Sequence, residues 1–201
     1  MSRCERFLRR WNPDNYNWQT YSSVLAEEYS ECFDLWWDPE RFNWKDSWFL
    51  ARYCSKHFPK WWDSERFNWR EGSWELARFC SEYFDVWWNP EKFNWCYGSS
   101  ALARFCSYYF SKWWDPNRFN WRCSGDLARY CSQYFGVWWN PEKYNWKEYS
   151  WCLAEYCHKY FLKWWDPLRY NKDHIDSLED WCWQYEDIWK TDLKLLQLLE
   201  G

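Results

Sequence analysis

The stretch WWNPEKFNWCYGSSALARFCSYYF, residues 87–110, decides the fold because it recurs along the chain. The second Trp of its opening pair returns as Trp37, Trp62, Trp88, Trp114, Trp139 and Trp165, at spacings of 25, 26, 26, 25 and 26 residues. Trp11 extends the series backwards by 26, with Arg10 where the first Trp of the pair would stand, so seven units can be counted. A fixed period of this size is the signature of stacked structural units. The unit reads W-W-[DN]-P-x-[RK]-[FY]-N-W, two or three variable residues, then S-x-x-L-A-R-[FY]-C-x-x-[FY]-F. Ser64 in place of Pro, Asn15 in place of the basic residue and Lys172 in place of the second motif's Trp are among the few departures.

Two helices per unit follow from the residue types. Asp38-Pro39 sets an N-cap acceptor before a residue whose fixed φ and missing N–H suit the first helical position, and Asn12-Pro13, Asn89-Pro90, Asp115-Pro116, Asn140-Pro141 and Asp166-Pro167 repeat it. This predicts a short helix A of about two turns. The unit's one-residue length variation falls between the Asn-Trp pair and the Leu, since Trp44 to Leu50 is six residues and Trp69 to Leu76 is seven. That segment reads as a loop. Ser22, Ser47, Ser73, Ser99, Ser124 and Ser150 each stand three residues before the Leu, where a hydroxyl can accept from orphan N–H groups at a helix start. A helix B of about 11 residues is expected from there, its buried stripe carried by Leu50, Cys54 and Phe58 at i, i+4 and i+8. No stretch alternates as a half-buried strand does. The expected fold is an all-α solenoid of about seven short helix-turn-helix units in a single repeat domain, 1–201. Within it, 1–9 are a remnant capping the N-terminus, 10–186 the seven repeats, and 187–201 a Leu-rich capping helix striped by Ile188, Trp189, Leu193, Leu196 and Leu199.

Composition agrees with many shallow cores. Trp, Tyr and Phe number 25, 16 and 14 of 201 residues, whereas Ile and Val together contribute five, so aromatic rings form the core. The mean hydropathy of −0.94 does not oppose this, because such scales score Trp and Tyr as mildly polar although their bodies bury well. Eleven Cys, an odd number, and an opening without an apolar h-region argue against a secreted disulfide framework and for a cytoplasmic or other reducing compartment. No apolar run approaches the length of a membrane-spanning helix.

Chemistry-bearing residues do not converge. Cys54, Cys80, Cys106, Cys131, Cys157 and Cys182 form one column, a repeat apart and too distant to share a tetrahedral metal, and Cys4, Cys32, Cys96, Cys123 and Cys152 show no C-x-x-C spacing. All are read as buried or surface thiols needing neither metal nor disulfide. His57, His158 and His174 occupy three different repeat positions, and no phosphate loop or H-E-x-x-H is present. No catalytic residue, metal or cofactor is expected. Asn17, Asn43, Asn68, Asn94, Asn120, Asn145 and Asn171 recur in every unit and read as a stacked internal ladder, with a ligand-reading column as the alternative.

Two basic columns remain. Arg41, Arg66, Lys92, Arg118, Lys143 and Arg169 each have an acid nearby in most units, which offsets them locally. Arg52, Arg78, Arg104 and Arg129 lie on the outward face of helix B in four consecutive units, with Glu27, Glu155 and Asp180 at the same position beyond them. They read either as solvated charge, with pairs such as Arg78 to Glu82 at i, i+4, or as a stripe that touches a partner. The functional expectation is a non-enzymatic binding or scaffold protein whose partner is another protein. Self-assembly into a filament or shell is a second reading. Nucleic-acid binding by aromatic stacking and an Arg column is a third, opposed by the net charge of −4 because such affinity rests on phosphate neutralisation.

Overall fold

In a computed structural model, the repeats start a helix just after their Asn, and from the second repeat on they end it at the column cysteine, Tyr29 standing there in the first. The structure describes residues 2–200; Met1 and Gly201, which close the expected terminal segments, lie outside the described residues. Contacts divide the chain into two compact units, Met1–Tyr109 and Phe110–Gly201. The first holds α1 (Arg3–Leu8), α2 (Trp18–Glu28), α3 (Phe33–Trp36), α4 (Ser47–Tyr53), α5 (Phe58–Trp61), α6 (Trp69–Phe79), α7 (Phe84–Trp87) and α8 (Trp95–Phe105). The second holds α9 (Phe110–Trp113), α10 (Ser124–Tyr130), α11 (Phe135–Trp138), α12 (Trp146–Cys157), α13 (Phe161–Trp164), α14 (Ile175–Trp181) and α15 (Glu186–Glu200). Among the described residues no strand occurs, and the fold is an all-α, solenoid-like repeat. The longer helices stack in order: α2, α4, α6 and α8 in the first unit, α10, α12 and α14 in the second.

The helix phase differs from the expectation at three points. The segment after Asp38-Pro39 is one turn and no more: Asp38 Oδ1 accepts from Glu40 N at 3.0 Å and Phe42 N donates to Asp38 O at 2.9 Å, after which the chain becomes extended at Asn43. The cap reading of Asp-Pro is right, but helix A does not form. It stops because Asn43 N donates to Ser22 Oγ of the preceding repeat at 2.9 Å, a bond that a continuing helix would forbid. The same bond recurs from Asn68 to Ser47, Asn94 to Ser73, Asn145 to Ser124 and Asn171 to Ser150.

Second, the cap of the longer helix is the Asn, not the Ser. Asn68 Oδ1 accepts from Glu71 N at 3.3 Å, and Ser73, buried a turn later, donates its hydroxyl to Trp69 O at 2.6 Å. Third, the length variation is no loop. With seven residues from Trp to Leu the first turn is α, Gly72 N donating to Asn68 O; with six it is 3-10, Asp46 N donating to Asn43 O, over Trp44–Asp46, Trp121–Cys123 and Lys172–His174. An i→i+3 start instead of i→i+4 absorbs one residue without disturbing the helix that follows.

The expected helix B also breaks at its column Cys. Cys54 has φ −115° and ψ 24°, the bridge region, and a 3-10 turn at Ser55–His57 leads into α5. Each break is bonded. Cys54 N donates to Leu50 O, and Cys54 O accepts the indole N–H of Trp61 at 2.8 Å. Trp87, Trp138 and Trp164 do the same to Cys80, Cys131 and Cys157. The first Trp of each pair is therefore core: Trp36, Trp61, Trp87, Trp113, Trp138 and Trp164 are at most 2% exposed. The second Trp is half-buried and leads the chain out of the short helix. Repeats are also joined ring on ring, Phe58 to Tyr83 and Phe84 to Tyr109 in the first unit, and Phe110 to Tyr134, Phe135 to Tyr160 and Phe161 to Tyr185 in the second, at 4.5–4.6 Å.

Two corrections concern the ends. Cys4 and Cys32 are joined as a disulfide with a Cα–Cα distance of 5.4 Å, against the expectation that every thiol stands alone. Cys32 occupies the position of the stacking ring (His57, Tyr83, Tyr109), so at this end a covalent link replaces a ring stack. On α15, Trp189 is buried, Leu193 and Leu196 are half-buried, and Ile188 and Leu199 are exposed, so the expected capping stripe is covered only in part.

Candidate functional site

The arginine column stands on the outer face of the longer helices, each guanidinium lying over the ring that follows it in sequence. Arg52 lies 5.3 Å from the Tyr53 centroid, Arg78 4.8 Å from Phe79 and Arg104 5.3 Å from Phe105, all in the first unit. Arg78 is also 4.9 Å from Trp74 and 5.8 Å from Phe105. In the second unit Arg129 sits 5.4 Å from Tyr130 and 5.5 Å from Tyr156. Cation–aromatic contacts of this kind are worth about 0.5–1 kcal/mol at exposed sites, and they hold the side chains in place while leaving them exposed. The expected Arg78–Glu82 pair is absent among the described residues. The helix ends at Phe79 and Glu82 lies beyond the bend at Cys80, where i, i+4 spacing no longer brings side chains together.

Glu75 is the polar anomaly of this face. It is only 9% exposed; Oε1 is 3.9 Å from Arg52 Nη1, and Oε2 has no hydrogen-bond partner. Burial raises its carboxyl above the ordinary value, opposed by the charges of Arg52 and Arg78. Beyond the arginines in the first unit comes Glu27, which accepts from Tyr53 Oη at 3.0 Å. Its repeat position is a variable one, held by Val24, Phe49, Ala101, Asp126, Cys152 and Ser177 in the other units, so nothing in the sequence singled Glu75 out.

The other columns are occupied with holding repeats together. The Asn side chains form the expected ladder: Nδ2 of Asn43, Asn68, Asn94 and Asn171 donates to Gln19 O, Lys45 O, Arg70 O and Lys147 O of the preceding repeat at 2.7–2.9 Å. Asn120 and Asn145 cap their helices through Arg122 N and Glu148 N. The second basic column bridges neighbours too, as Arg66 reaches Glu40 at 2.9 Å, Lys92 reaches Glu65 at 2.6 Å and Arg169 reaches Glu142 at 2.5 Å. Column thiols point at carbonyls one repeat back, Cys80 to Ala51 O and Cys106 to Ala77 O at 3.6 and 3.5 Å, and burial pushes the Cys54, Cys106, Cys131, Cys157 and Cys182 thiols up to about 12. They are poor nucleophiles as they stand, since the thiolate is the reactive form. His57 stacks on Phe33 at 4.5 Å, and His174 Nδ1 lies 3.2 Å from Ser150 Oγ.

Among the described residues no group of three or more His, Cys, Asp or Glu could hold a metal, and no helix is long and apolar enough to cross a membrane. Comparison with family models, curated proteins and solved structures returned no match to this chain.

Proposed function

We propose that the chain is a non-enzymatic repeat scaffold that engages a protein partner through the arginine–aromatic face of its longer helices. The observation that carries this reading is the pinning of Arg52, Arg78 and Arg104 over adjacent rings, with Arg129 as their counterpart in the second unit. Trp, Tyr and Arg dominate interface hot spots, and side chains already ordered lose less entropy on association.

The test converts Arg52, Arg78, Arg104 and Arg129 to Glu and compares affinity capture from the native source with that of the parent protein. Loss of specific proteins from a variant with unchanged helical signal supports the reading. Unchanged capture moves the surface elsewhere. Retention of nucleic acid with affinity falling steeply in salt favours phosphate recognition, and concentration-dependent growth in mass that the variant loses favours self-assembly.

A further inference from the structure

The first repeat keeps the aromatic frame of the others but lacks the indole that fills it. In the next repeat Trp36 sits within ring contact of Phe33, Trp37 and Phe42, at 5.0, 6.0 and 6.4 Å. The equivalent frame residues one repeat earlier are Phe7, Trp11 and Tyr16, and they hold nearly the same spacing. Phe7 stacks on Trp11 at 4.9 Å where Phe33 stacks on Trp37 at 5.2 Å; Trp11 meets Tyr16 at 5.0 Å where Trp37 meets Phe42 at 5.3 Å; Trp11 lies edge-on to Trp18 at 5.6 Å where Trp37 does so to Trp44 at 5.9 Å. The central residue is Arg10, and its side chain is exposed. A cavity of about 750 Å³ opens there, within the range of small-molecule sites, roughly 300–1,000 Å³.

The rim is basic. Arg3, Arg6, Arg9 and Arg10 all line the cavity. Arg3 is bonded to Glu28 at 2.8 Å and lies 5.4 Å from the Tyr29 centroid, whereas Arg6, Arg9 and Arg10 make no ion pair among the described residues. Tyr16 adds no negative charge: its hydroxyl donates to Tyr21 O at 2.7 Å, and burial, with the neighbouring Tyr29 and Tyr21, pushes its phenol up to about 12. The wall formed by α1 is fixed to the rest by the Cys4–Cys32 disulfide and by Phe7 against Tyr29 at 4.6 Å.

We propose that this cavity is a binding site for a small aromatic anion, a planar ring bearing a carboxylate or phosphate, with the ring seated where the other repeats place their first Trp and the anionic group held by Arg6, Arg9 and Arg10. The flat rings select a planar apolar body, and guanidinium groups pair with carboxylate or phosphate oxygens two at a time. This site uses none of the residues of the proposed partner face, so each can fail alone.

The experiment is isothermal titration calorimetry with indole-3-acetate and 1-naphthyl phosphate, against neutral indole and hexanoate as controls. Both aromatic anions are expected to bind at least tenfold more tightly than either control. The Arg10→Trp variant restores the residue that every later pair carries at this position, so it should fold, melt higher and lose binding of both probes. A second variant, Arg6→Gln with Arg9→Gln, should weaken the anions at least tenfold and leave indole unchanged. No detectable binding of either anion by the parent at about 1 mM, or full binding by Arg10→Trp, overturns the proposal.

Discussion

Raising the pH should unfold this protein through its cysteine column, and the size of the effect follows from burial. Cys54, Cys106, Cys131, Cys157 and Cys182 are at most 1% exposed, and burial, the largest cause at each, pushes their thiols up to about 12 from an ordinary value of 9.0. Between those values the folded chain keeps protons that the unfolded chain has lost, so stability is complete below about pH 9 and falls as pH rises towards 12. Each thiol contributes about 1.4 kcal/mol per pH unit across that window, and five contribute about 7. Set against a total stability of about 5–15 kcal/mol for a domain, unfolding is expected between roughly pH 10 and 11. Circular dichroism against pH in the presence of reductant locates it. Tyrosines titrate in the same range, so the decisive quantity is a difference. Urea denaturation of the parent and of Cys106→Ser at a series of pH values should show the variant's deficit shrinking by about 1.4 kcal/mol per unit above pH 9.5, because serine has no proton to lose. A deficit that stays constant to pH 11 would refute the reasoning.

Three further outcomes are expected. Gly98→Ala places a Cβ 2.3 Å from Phe93 Cζ, a ring that is 4% exposed and packed against Trp87, Trp88 and Trp95, so it should lower stability by about 1–3 kcal/mol in urea. Asn68→Ala removes both the cap to Glu71 N and the bond to Lys45 O and should cost about 1.5–3 kcal/mol; Asn68→Asp, which keeps the cap alone, should recover about half of that by the same measurement. Reducing the Cys4–Cys32 bond, which spans 28 residues, should cost up to about 3.5 kcal/mol and lower the melting temperature; a melt unchanged by reductant would show that α1 is held without it.

The period, the aromatic core and the all-α class could be read from the sequence because they depend on recurrence and residue type. The phase of the helices could not, and the reason is specific. Asn68 and Ser73 are both residues that cap helices, and local propensity does not rank one above the other. The choice is made by a bond between repeats, Asn68 N to Ser47 Oγ at 2.8 Å, which joins residues 21 apart. Length variation misled for a related reason. Insertion is ordinarily tolerated in loops, yet here one residue more or less is taken up by switching the first turn between 3-10 and α. Placing Arg78 and Glu82 on one helix face failed because a buried cysteine carried the helical periodicity across a break that its backbone makes.

What the repeat makes most readable is its own exceptions. A column shared by six or seven repeats states what the stack requires, so a residue that breaks the column is released from that requirement or has been given another. Cys32 stands where the other repeats carry a ring, and it is bonded to Cys4, which stands where the next repeats carry Ser30, Ser55, Ser81 and Ser107. Arg10 stands in the Trp column, and it borders the cavity that the other repeats fill. Arg10 and Cys32 both fall in the first compact unit and meet at the same structure, since the disulfide anchors α1, which carries Arg3 and Arg6 of the cavity's rim. Two departures that cooperate at one place are harder to attribute to drift than two scattered ones. The N-terminal cavity is therefore a place where this chain departs from what its stacking alone demands.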